Sequence, residues 1–381
     1  MKRLSILGST GSIGRNALNV VDNIKNKFQV VYLSAHTNYE LLIEQALKYR
    51  PKAVNIVDSK VSKFVESKLK NENIEVLVGR TGLLELAKRD DIDLMLNALV
   101  GTAGMEPTLL ALESAVDVGL SNKESLVMAG HLVKQIQNKN AARVLPVDSE
   151  HSAIWQCLQG EQSKDVDKII LTGSGGPFRQ RAVNTFSKIT PAEALNHPNW
   201  KMGKKITIDS ATMMNKGLEI IESFWLFDMP ADKIEVIIHP QSIIHSMVEF
   251  KDGSVKAQLG LPDMKIPIQY ALTYPQHVTT NWKRLDLIGI GQLTFEAPDF
   301  TRFSCLQLAL NSLQRLGTEP VVLNVANEYA VYRFLANEIS FTDIPKIIES
   351  ACKNHDWIEN PSLNELNMLI DWTIEFVKKY N

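Results

Sequence analysis

The sequence contains no long hydrophobic run and no excess of charge of either sign. The apolar stretch Leu4–Leu7 meets a glycine at once, so it is too short for the core of a signal peptide. No segment approaches the roughly 20 apolar residues of a membrane-spanning helix. Lys and Arg number 41 against 43 Asp and Glu, which leaves a formal net charge of -2. Because this balance gives no field that attracts nucleic acid or an anionic membrane, we expect neither as a partner.

Cysteine is scarce, and the cysteines that occur are far apart in the chain. Their number is odd and no CxxC pair is present, which excludes a disulfide framework or a Cys-rich zinc site as the organising feature. Scattered free thiols are typical of a reducing compartment, so we expect a cytoplasmic protein. The three positions are Cys157, Cys305 and Cys352.

What is present is the composition of a globular enzyme. The 381 residues are enough for two or three domains with a well-buried core. Hydrophobic residues make up 45% and charged residues 22%, which is usual for such proteins.

A glycine-rich turn follows the first apolar run. Gly8–Gly14 reads GSTGSIG and leads into an amphipathic helix that extends to about Ile24. A strand, a glycine turn and a helix in this order form the context of a dinucleotide-binding fingerprint, because glycines let the backbone approach a pyrophosphate. The spacing GxxGxxG differs from the usual GxGxxG. The alternative is a plain turn that caps a helix.

Strand-like and helix-like segments continue to alternate after this turn. This alternation predicts a doubly wound parallel sheet of the Rossmann type, with its ligand at the carboxyl ends of the strands. The strand-like runs cover 4–7, 29–35, 53–57, 75–78, 93–99, 117–120 and 143–147.

The loop after the second strand indicates which cofactor is used. An NAD-binding domain usually places an acid there to hold the ribose 2′-hydroxyl. Here Ala35–Asn38 reads AHTN, and the first acid is Glu40. The absence of an acid favours NADP, although no arginine is present to bind its 2′-phosphate. The alternative is that this loop only turns the chain.

Two acids follow the last strand of the sheet. If Asp148 and Glu150 are extended, their side chains face the same side, and both could bind one ion. Together with Glu219 they form an all-oxygen set, which suits Mg²⁺ or Mn²⁺ better than zinc. The alternative is a helix cap, since Asp-Ser-Glu is also good capping chemistry.

The segment Asp209–Glu219 carries the densest set of polar groups. Asn215 and Lys216 lie four and three residues before Glu219, so a helix would place all three on one face. Ser210 is expected just upstream, near a helix start whose free N–H groups attract anions. This set suits a phosphorylated polyhydroxylated molecule near a metal ion. An ordinary capped helix with a solvated Lys/Glu pair is the alternative.

Two further loops could line a pocket. Ser174 lies among glycines at the end of a strand-like run, so its backbone and hydroxyl could reach a phosphate; the alternative is a surface turn. His197–Gly203 reads HPNWKMG, which predicts a hydrophobic flap that expels water when it closes. The alternative is that Trp200 simply anchors the loop to the core.

The rest of the chain predicts scaffold. Strand-like runs at 233–239, 242–250 and 254–260 include a hairpin turn at 251–254, and periodicity from Leu306 onward is helical. We predict a doubly wound domain at 1–147, an α+β catalytic domain with the lid at 148–280, a linker at 281–291 and a small helical domain at 292–381.

Six motifs, taken in their order along the chain, resemble those of the 1-deoxy-D-xylulose 5-phosphate reductoisomerase family. The resemblance covers essentially the whole chain, and the departure is His36-Thr37, where the family is expected to have glycine and often a basic residue. The motifs are Gly8–Gly14, Asn122–Glu124, Asp148–Glu150, Gly173–Phe178, His197–Gly203 and Asp209–Glu219.

The resemblance implies that a homodimer rearranges deoxyxylulose phosphate to an aldehyde, which NADPH reduces to 2-C-methyl-D-erythritol 4-phosphate. It implies Asp148, Glu150 and Glu219 as ligands of Mn²⁺ or Mg²⁺. The implied catalytic residues are Lys123, Ser149, Glu150, His197 and Trp200. The implied substrate-binding residues are Lys123, Ser149, Glu150, Ser174, His197, Ser210, Asn215, Lys216 and Glu219. The implied cofactor-binding residues are Gly8, Thr10, Gly11, Ser12, Ile13, His36, Thr37, Asn38, Asn122, Glu124 and Gly203.

Two other functions fit the same residues. An NADP-dependent sugar-phosphate or hydroxy-acid dehydrogenase would need no carbon-skeleton step. A dinucleotide sensor without activity would need neither three carboxylates nor a Trp-containing flap.

Overall fold

The computed structural model describes residues 1–200 and 202–380 and divides them into two compact units. The first unit consists of residues 1–125, 132–152 and 263–282. The second consists of residues 126–131, 153–262 and 283–381, of which Lys201 and Asn381 lie outside the described residues. Among the described helices, none has the length and apolar character needed to cross a bilayer.

The first unit is built on a seven-stranded sheet in which every pair of neighbours is parallel. Its strands are β1 Lys2–Leu7, β2 Phe28–Ala35, β3 Ala53–Ile56, β4 Glu75–Val78, β5 Leu94–Asn97, β6 Asp117–Leu120 and β7 Val144–Pro146. The spatial order is β4-β3-β2-β1-β5-β6-β7, so the winding direction reverses between β1 and β5. Each strand prediction for this region is confirmed to within a few residues at its ends.

The helices of this unit connect the strands. β1 and β5 are fully buried over most of their length and read as apolar runs, as expected of parallel strands covered on both faces. The connecting helices are α1 Ser12–Asn23, α2 Tyr39–Tyr49, α3 Ser62–Leu69, α4 Gly79–Lys88, α5 Met105–Glu113 and α6 Lys123–Gln137. Helix α7 Ser149–Cys157 follows β7, and residues 126–131 of α6 and 153–157 of α7 belong to the second unit.

The second unit contains a four-stranded mixed sheet and most of the later helices. The sheet strands are β8 Val166–Gly173, β9 Ile234–Ile238, β10 Ile244–Phe250 and β11 Val255–Leu259, in the order β11-β10-β8-β9. The hairpin predicted at 251–254 is confirmed, since β10 and β11 are antiparallel and Gly253 N–H donates to the Phe250 carbonyl at 2.8 Å.

The helical end of the chain is also confirmed. Its helices pack with those before β9 and with the buried face of the small sheet in one hydrophobic cluster that includes Ile169, Leu218 and Phe334. The helices of the cluster are α8 Pro191–Ala194, α9 Lys204–Ala211, α10 Met214–Phe227, α13 Ser304–Arg315, α14 Glu319–Leu335, α15 Asp343–Asn354 and α16 Leu363–Lys379. The short helix α12 Leu287–Ile290 has no buried residue and takes no part in the cluster.

One helix returns late in the chain to the first unit. This helix, α11 Lys265–Thr273, packs against α1 and against β6 and β7. Lys2 Nζ donates to the Leu272 carbonyl at 3.2 Å, which joins the start of the chain to this late segment.

Candidate functional site

The glycine turn after β1 lies where the winding of the large sheet reverses, which is the usual ligand position in such sheets. Gly8 has φ +81°, and a Cβ there would lie 2.7 Å from the Ala98 carbonyl oxygen, so only glycine fits. Gly11 caps α1 without a side chain, and Gly11 and Ser12 are exposed. The first N–H groups of α1 can therefore face an anion, as the sequence predicts.

The loop after β2 exposes His36, Thr37 and Asn38. The Asn38 side chain accepts from Leu41 N–H at 3.3 Å and caps α2. Register in the sheet also places the end of β3 beside this loop, because Asp58 N–H donates to the His36 carbonyl at 2.9 Å. The Asp58 carboxylate accepts from Lys60 N–H at 3.0 Å. Sequence reasoning missed this neighbour, since the pairing of β2 with β3 sets it.

Asn122 shapes the loop after β6. Its side-chain amide donates to the Leu99 carbonyl at 3.0 Å and the Gly101 carbonyl at 2.9 Å, and its oxygen accepts from Ser125 N–H at 3.1 Å. The buried Asn122 therefore caps α6 and ties down the loop after β5. Lys123 and Glu124, in the first turn of α6, are also buried.

A buried cation holds Asp148 beside α7. Lys123 Nζ lies 2.6 Å from Asp148 Oδ2, and His151 Nδ1 lies 3.7 Å from the same oxygen. Burial by itself raises the pKa of Asp148, but the Lys123 ammonium and His151 outweigh it and hold this pKa below its usual range. Asp148 is therefore ionised throughout the neutral range. His151 was missed, although its position three residues after Asp148 is a visible signal.

The extended geometry predicted for Asp148 to Glu150 is wrong. Helix α7 begins at Ser149, and the Asp148 carbonyl accepts its first helical bond from Ser152 N–H at 2.8 Å. The helix-start alternative is therefore the observed one. Ser149 nevertheless joins the two acids, since its N–H donates to Asp148 Oδ1 at 3.0 Å and its hydroxyl donates to Glu150 Oε2 at 2.5 Å.

In the second unit, the first turns of α10 carry the predicted amide, ammonium and carboxylate on one face. Asn215 Nδ2 and Lys216 Nζ each donate to one oxygen of Glu219. Lys216 and Glu219 are buried, with side chains 4% and 1% exposed. The shared helix face is therefore confirmed.

The position predicted for Ser210 is wrong in one respect. Ser210 lies in the last turn of α9 instead of the loop before a helix start, and its carbonyl accepts from Met213 N–H at 3.2 Å. The helical path is interrupted at Met213, which has φ +62°, and α10 begins at the next residue. The sequence predicts a loop at Ser210 followed by one helix, and with no glycine or proline at this break it gives no sign of the separate helix α9.

The glycine-rich loop after β8 meets both helices. Gly176 has φ +68°, and a Cβ there would lie 2.5 Å from the Ser210 carbonyl oxygen. A Cβ at Gly173 would lie 3.0 Å from Lys216 Cε. Ser174 Oγ accepts from Gly176 N–H at 3.2 Å. The loop that carries Ser174 thus lies against the Ser210 carbonyl through Gly176 and against the Lys216 side chain through Gly173, all within the second unit.

His197 connects this loop to the predicted flap. Its Nδ1 accepts from the N–H groups of Asn199 at 3.2 Å and Trp200 at 3.0 Å, so the ring proton lies on Nε2. Nε2 lies 3.1 Å from Ser174 Oγ, to which it donates. Burial lowers the pKa of His197, which favours this neutral form.

The flap is held over the loop between β9 and β10. Asn199 Nδ2 donates to the Pro240 carbonyl at 2.6 Å and to Ser242 Oγ at 3.0 Å. The partly exposed Trp200 ring lies 6.2 Å from the His245 ring. Gly203 caps α9. Sequence reasoning missed Asn199 and His245, and Lys201 lies outside the described residues.

Three family models match the chain in succession. The model described as 1-deoxy-D-xylulose 5-phosphate reductoisomerase matches residues 4–130. The model for the C-terminal domain of the same enzyme matches residues 144–227, and a second model, described as the DXP reductoisomerase C-terminal domain, matches residues 259–375.

Curated relatives of the same name match over nearly the full length. The chain is 54% identical to the 1-deoxy-D-xylulose 5-phosphate reductoisomerase of Chloroherpeton thalassium, over 96% of this chain and 95% of the relative. It is 50% identical to that of Thermoanaerobacter pseudethanolicus over the whole of both chains.

Solved structures match equally far. The Zymomonas mobilis enzyme in complex with NADPH superposes with a TM-score of 0.92 at 40% identity, covering 99% of this chain and 98% of that one. A DOX-P reductoisomerase in complex with NADPH, fosmidomycin and magnesium superposes with a TM-score of 0.94 at 38% identity, with the same coverage of both chains.

Proposed function

Because this chain belongs to the 1-deoxy-D-xylulose 5-phosphate reductoisomerase family, we propose that it rearranges and reduces 1-deoxy-D-xylulose 5-phosphate to 2-C-methyl-D-erythritol 4-phosphate. The observation that carries this conclusion is the full-length match to relatives of that name, one of them solved with NADPH and magnesium. The reaction serves the non-mevalonate synthesis of isoprenoid precursors.

NADPH is the reductant in this proposal, and all of its proposed contacts except Gly203 lie in the first unit. The exposed N-terminus of α1 and the glycine turn before it suit the pyrophosphate. The loop after β2, which has no acid before Glu40, suits the 2′-phosphate. The residues proposed to contact the cofactor are Gly8, Thr10, Gly11, Ser12, Ile13, His36, Thr37, Asn38, Asn122, Glu124 and Gly203.

Asp148, Glu150 and Glu219 are proposed to hold one Mg²⁺ or Mn²⁺. The donor set fits a hard cation, because all three ligands are carboxylates. Ser149 joins the first two, and buried amide and ammonium donors fix Glu219. When bound, the ion acts as a Lewis acid that stabilises negative charge developing on substrate oxygens.

The phosphate of the substrate is assigned to the second unit. The loop that carries Ser174 lies against Ser210 and Lys216 there, and Asn215 lies beside Lys216 on the same helix face. His197 offers its Nε2–H from the flap side. These contacts do not change during the reaction, so their binding energy serves to align the reacting end.

Lys123 and Ser149 are proposed to orient the substrate hydroxyls and to move protons. The buried Lys123 ammonium already donates to a carboxylate, so it can also donate to a hydroxyl oxygen. The Ser149 hydroxyl hydrogen is directed at Glu150, which makes Glu150 the acceptor for a proton that leaves through Ser149. Closure of His197–Gly203, with Trp200 as its apolar cover, would exclude water from this chemistry.

The domain boundaries stay a prediction: cofactor domain 1–147, catalytic domain with the lid 148–280, linker 281–291 and helical domain 292–381.

We also propose a homodimer that works in the cytoplasm. Strand β11 supports the homodimer, because it is an edge of its sheet and begins at the exposed Val255. Three buried free cysteines support the cytoplasmic location.

Product analysis tests the proposed function. Purified protein is incubated with deoxyxylulose phosphate, NADPH and Mg²⁺, and the organic product is identified by NMR. We expect a branched polyol phosphate in equal amount to the NADPH oxidised. A straight-chain alcohol would indicate a simple dehydrogenase, and cofactor binding without turnover would indicate a sensor.

The same assay tests cofactor choice through kcat/KM for NADPH and NADH. A higher value for NADPH is expected. A preference of only a few fold would mean that His36 and Thr37 hold the 2′-phosphate weakly, and a preference for NADH would contradict the interpretation of this loop.

A further inference from the structure

A buried ion pair of two residues that were not assigned to substrate lies inside the second unit, directly before Ser210 in the chain. Lys205 Nζ lies 2.8 Å from Asp209 Oδ2, with the two side chains 6% and 2% exposed. Asn327 Nδ2, from the middle of α14, donates to Asp209 Oδ1 at 2.8 Å. Each oxygen of this carboxylate is therefore held by a different element, one by α9 itself and the other by α14.

The ion pair makes the orientation of α9 depend on α14. Lys205 lies in the first turn of α9, where the helix dipole disfavours a cation, and Asp209 one turn later supplies the opposite charge. A buried carboxylate tolerates few positions, because a lost partner leaves charge without compensation. The bond from Asn327 thus fixes the rotation of α9 about its own axis.

Helix α9 carries two parts of the site. Ser210 directly follows Asp209, and its carbonyl is in close contact with Gly176 in the loop that holds Ser174. The flap ends at Gly203, the residue that caps the same helix. A small rotation of α9 would therefore move Ser210 relative to Ser174 and shift the base of the flap.

We propose that Asn327 is a positioning residue for phosphate recognition, acting through Asp209 on Ser210. This inference rests on the proposed function, since it concerns how that substrate is held. It gives the C-terminal helices a role in the site. Sequence position alone does not suggest this role, because Asn327 lies 118 residues from the carboxylate it orients.

The chain supplies a matched control. Asn324 lies one turn before Asn327 on α14 and is equally buried, with 0% exposure for both residues. Within residues 1–200 and 202–380, neither polar atom of the Asn324 side chain has a hydrogen-bond partner. Asn324→Leu therefore removes a buried amide that bonds to no described group, whereas Asn327→Leu removes the same amide together with its bond to Asp209.

The test measures kcat, both KM values and the inhibition constant of inorganic phosphate for the full-length enzyme. For Asn327→Leu we expect roughly tenfold or greater increases in the KM for deoxyxylulose phosphate and in the phosphate inhibition constant, as loss of a bond to a charged group predicts. The KM for NADPH should change less than about twofold. Asn324→Leu should leave all four values within about twofold of the wild type.

A second variant covers the case in which Asn327→Leu fails to fold. The exchange Asp209→Asn with Asn327→Asp reverses donor and acceptor: the amide at 209 donates to the new carboxylate, its oxygen can still accept from Lys205, and the negative charge stays in the same cluster. The exchange should therefore recover phosphate inhibition that Asp209→Asn alone has lost. A folded Asn327→Leu enzyme with wild-type phosphate inhibition would overturn the inference, as would equal effects at both asparagines. For an unfolded Asn327→Leu, the exchange decides: an exchange that restores nothing would also overturn it. A wild-type protein that makes no branched product would instead contradict the proposed function.

Discussion

At the scale of single residues, His197 is held in one tautomer by the flap to which it belongs. Two backbone N–H groups point at Nδ1, so a proton can be added there only if both bonds break. Its pKa is lowered from 6.5 in the folded protein. The unfolded chain therefore takes up a proton first as the pH falls through about 6.5, and the contribution of His197 to the free energy of unfolding is lost towards acid pH.

Substrate binding should follow the same direction. We expect the KM for deoxyxylulose phosphate to rise as the pH falls through the lowered pKa of His197 in the folded enzyme, which lies below 6.5, because protonated His197 releases Asn199 and Trp200. The measurement is KM against pH for the wild type and for His197→Gln, whose amide can still donate but does not titrate. The phosphate of the substrate also titrates near pH 6 and affects both enzymes. Identical profiles for the two enzymes would contradict a role for His197.

Glu219 offers a second test at this scale. Glu219→Gln keeps the shape of the side chain but removes the charge proposed to bind the metal, so kcat should fall by roughly a hundredfold or more. Mg²⁺ titration by calorimetry should show weakened binding, with the circular dichroism spectrum unchanged. Glu235→Gln, at an exposed surface pair with Lys168, is the control and should retain activity. Full activity of the wild type or of Glu235→Gln after thorough chelation would contradict the proposed metal ion.

At the scale of elements, a substitution in the flap should affect turnover more than stability, whereas one in the loop after β8 should affect both stability and substrate binding. Trp200 is partly exposed and makes its ring contact with His245, so Trp200→Ala should lower kcat/KM by roughly tenfold or more and change the melting temperature by about 2 °C or less. Turnover and differential scanning calorimetry measure the two effects.

Trp282 provides the opposite case. Trp282 is partly exposed as well, but its Nε1 donates to Gln269 at 2.9 Å and Lys265 Nζ lies 4.4 Å from its ring, so it anchors α11 within the first unit. Trp282→Ala should lower the melting temperature by several degrees and leave kcat of the folded enzyme nearly unchanged. If Trp200→Ala behaves like Trp282→Ala, Trp200 is a core anchor and not a cover.

The close approach of Gly176 to Ser210 can be separated from its backbone conformation. Gly176 and Gly253 both have positive φ, but a Cβ at Gly253 would meet nothing within 4 Å. Gly253→Ala should therefore show only the conformational cost of about 1 kcal/mol. Gly176→Ala should lose that amount and, in addition, raise the KM for substrate several fold, because the new methyl group pushes Ser210 away. Urea unfolding and steady-state kinetics of the two variants test this, and equal KM values would contradict it.

At the scale of the whole molecule, the proposed homodimer predicts a particle of twice 42.7 kDa in sedimentation velocity at micromolar concentration. Val255→Asp places a charge at the exposed start of β11 and should shift the equilibrium towards the monomer. Val183→Asp alters another exposed valine of the same unit and should not. A wild-type monomer at every concentration would exclude the dimer.

Local patterns predicted the sheet and the face of α10, because strand alternation and i,i+4 spacing are properties of short segments. They failed where two local structures compete: Asp-Ser-Glu after a strand suits both an extended pair and a helix start, and only the backbone of α7 decides. They could not predict contacts between distant segments. The approach of Asp58 to His36 depends on strand register, and the bond from Asn327 to Asp209 depends on how two helices pack.

The late return of α11 to the first unit bears on how the chain is made. The ribosome has released all seven strands of the large sheet long before residues 263–282 emerge, so the faces of α1, β6 and β7 that α11 covers are still open. At about 5–20 residues per second, roughly ten seconds separate the two events. During synthesis the N-terminal sheet is therefore exposed to chaperones and proteases, and its last piece arrives only after the second unit's sheet has been translated.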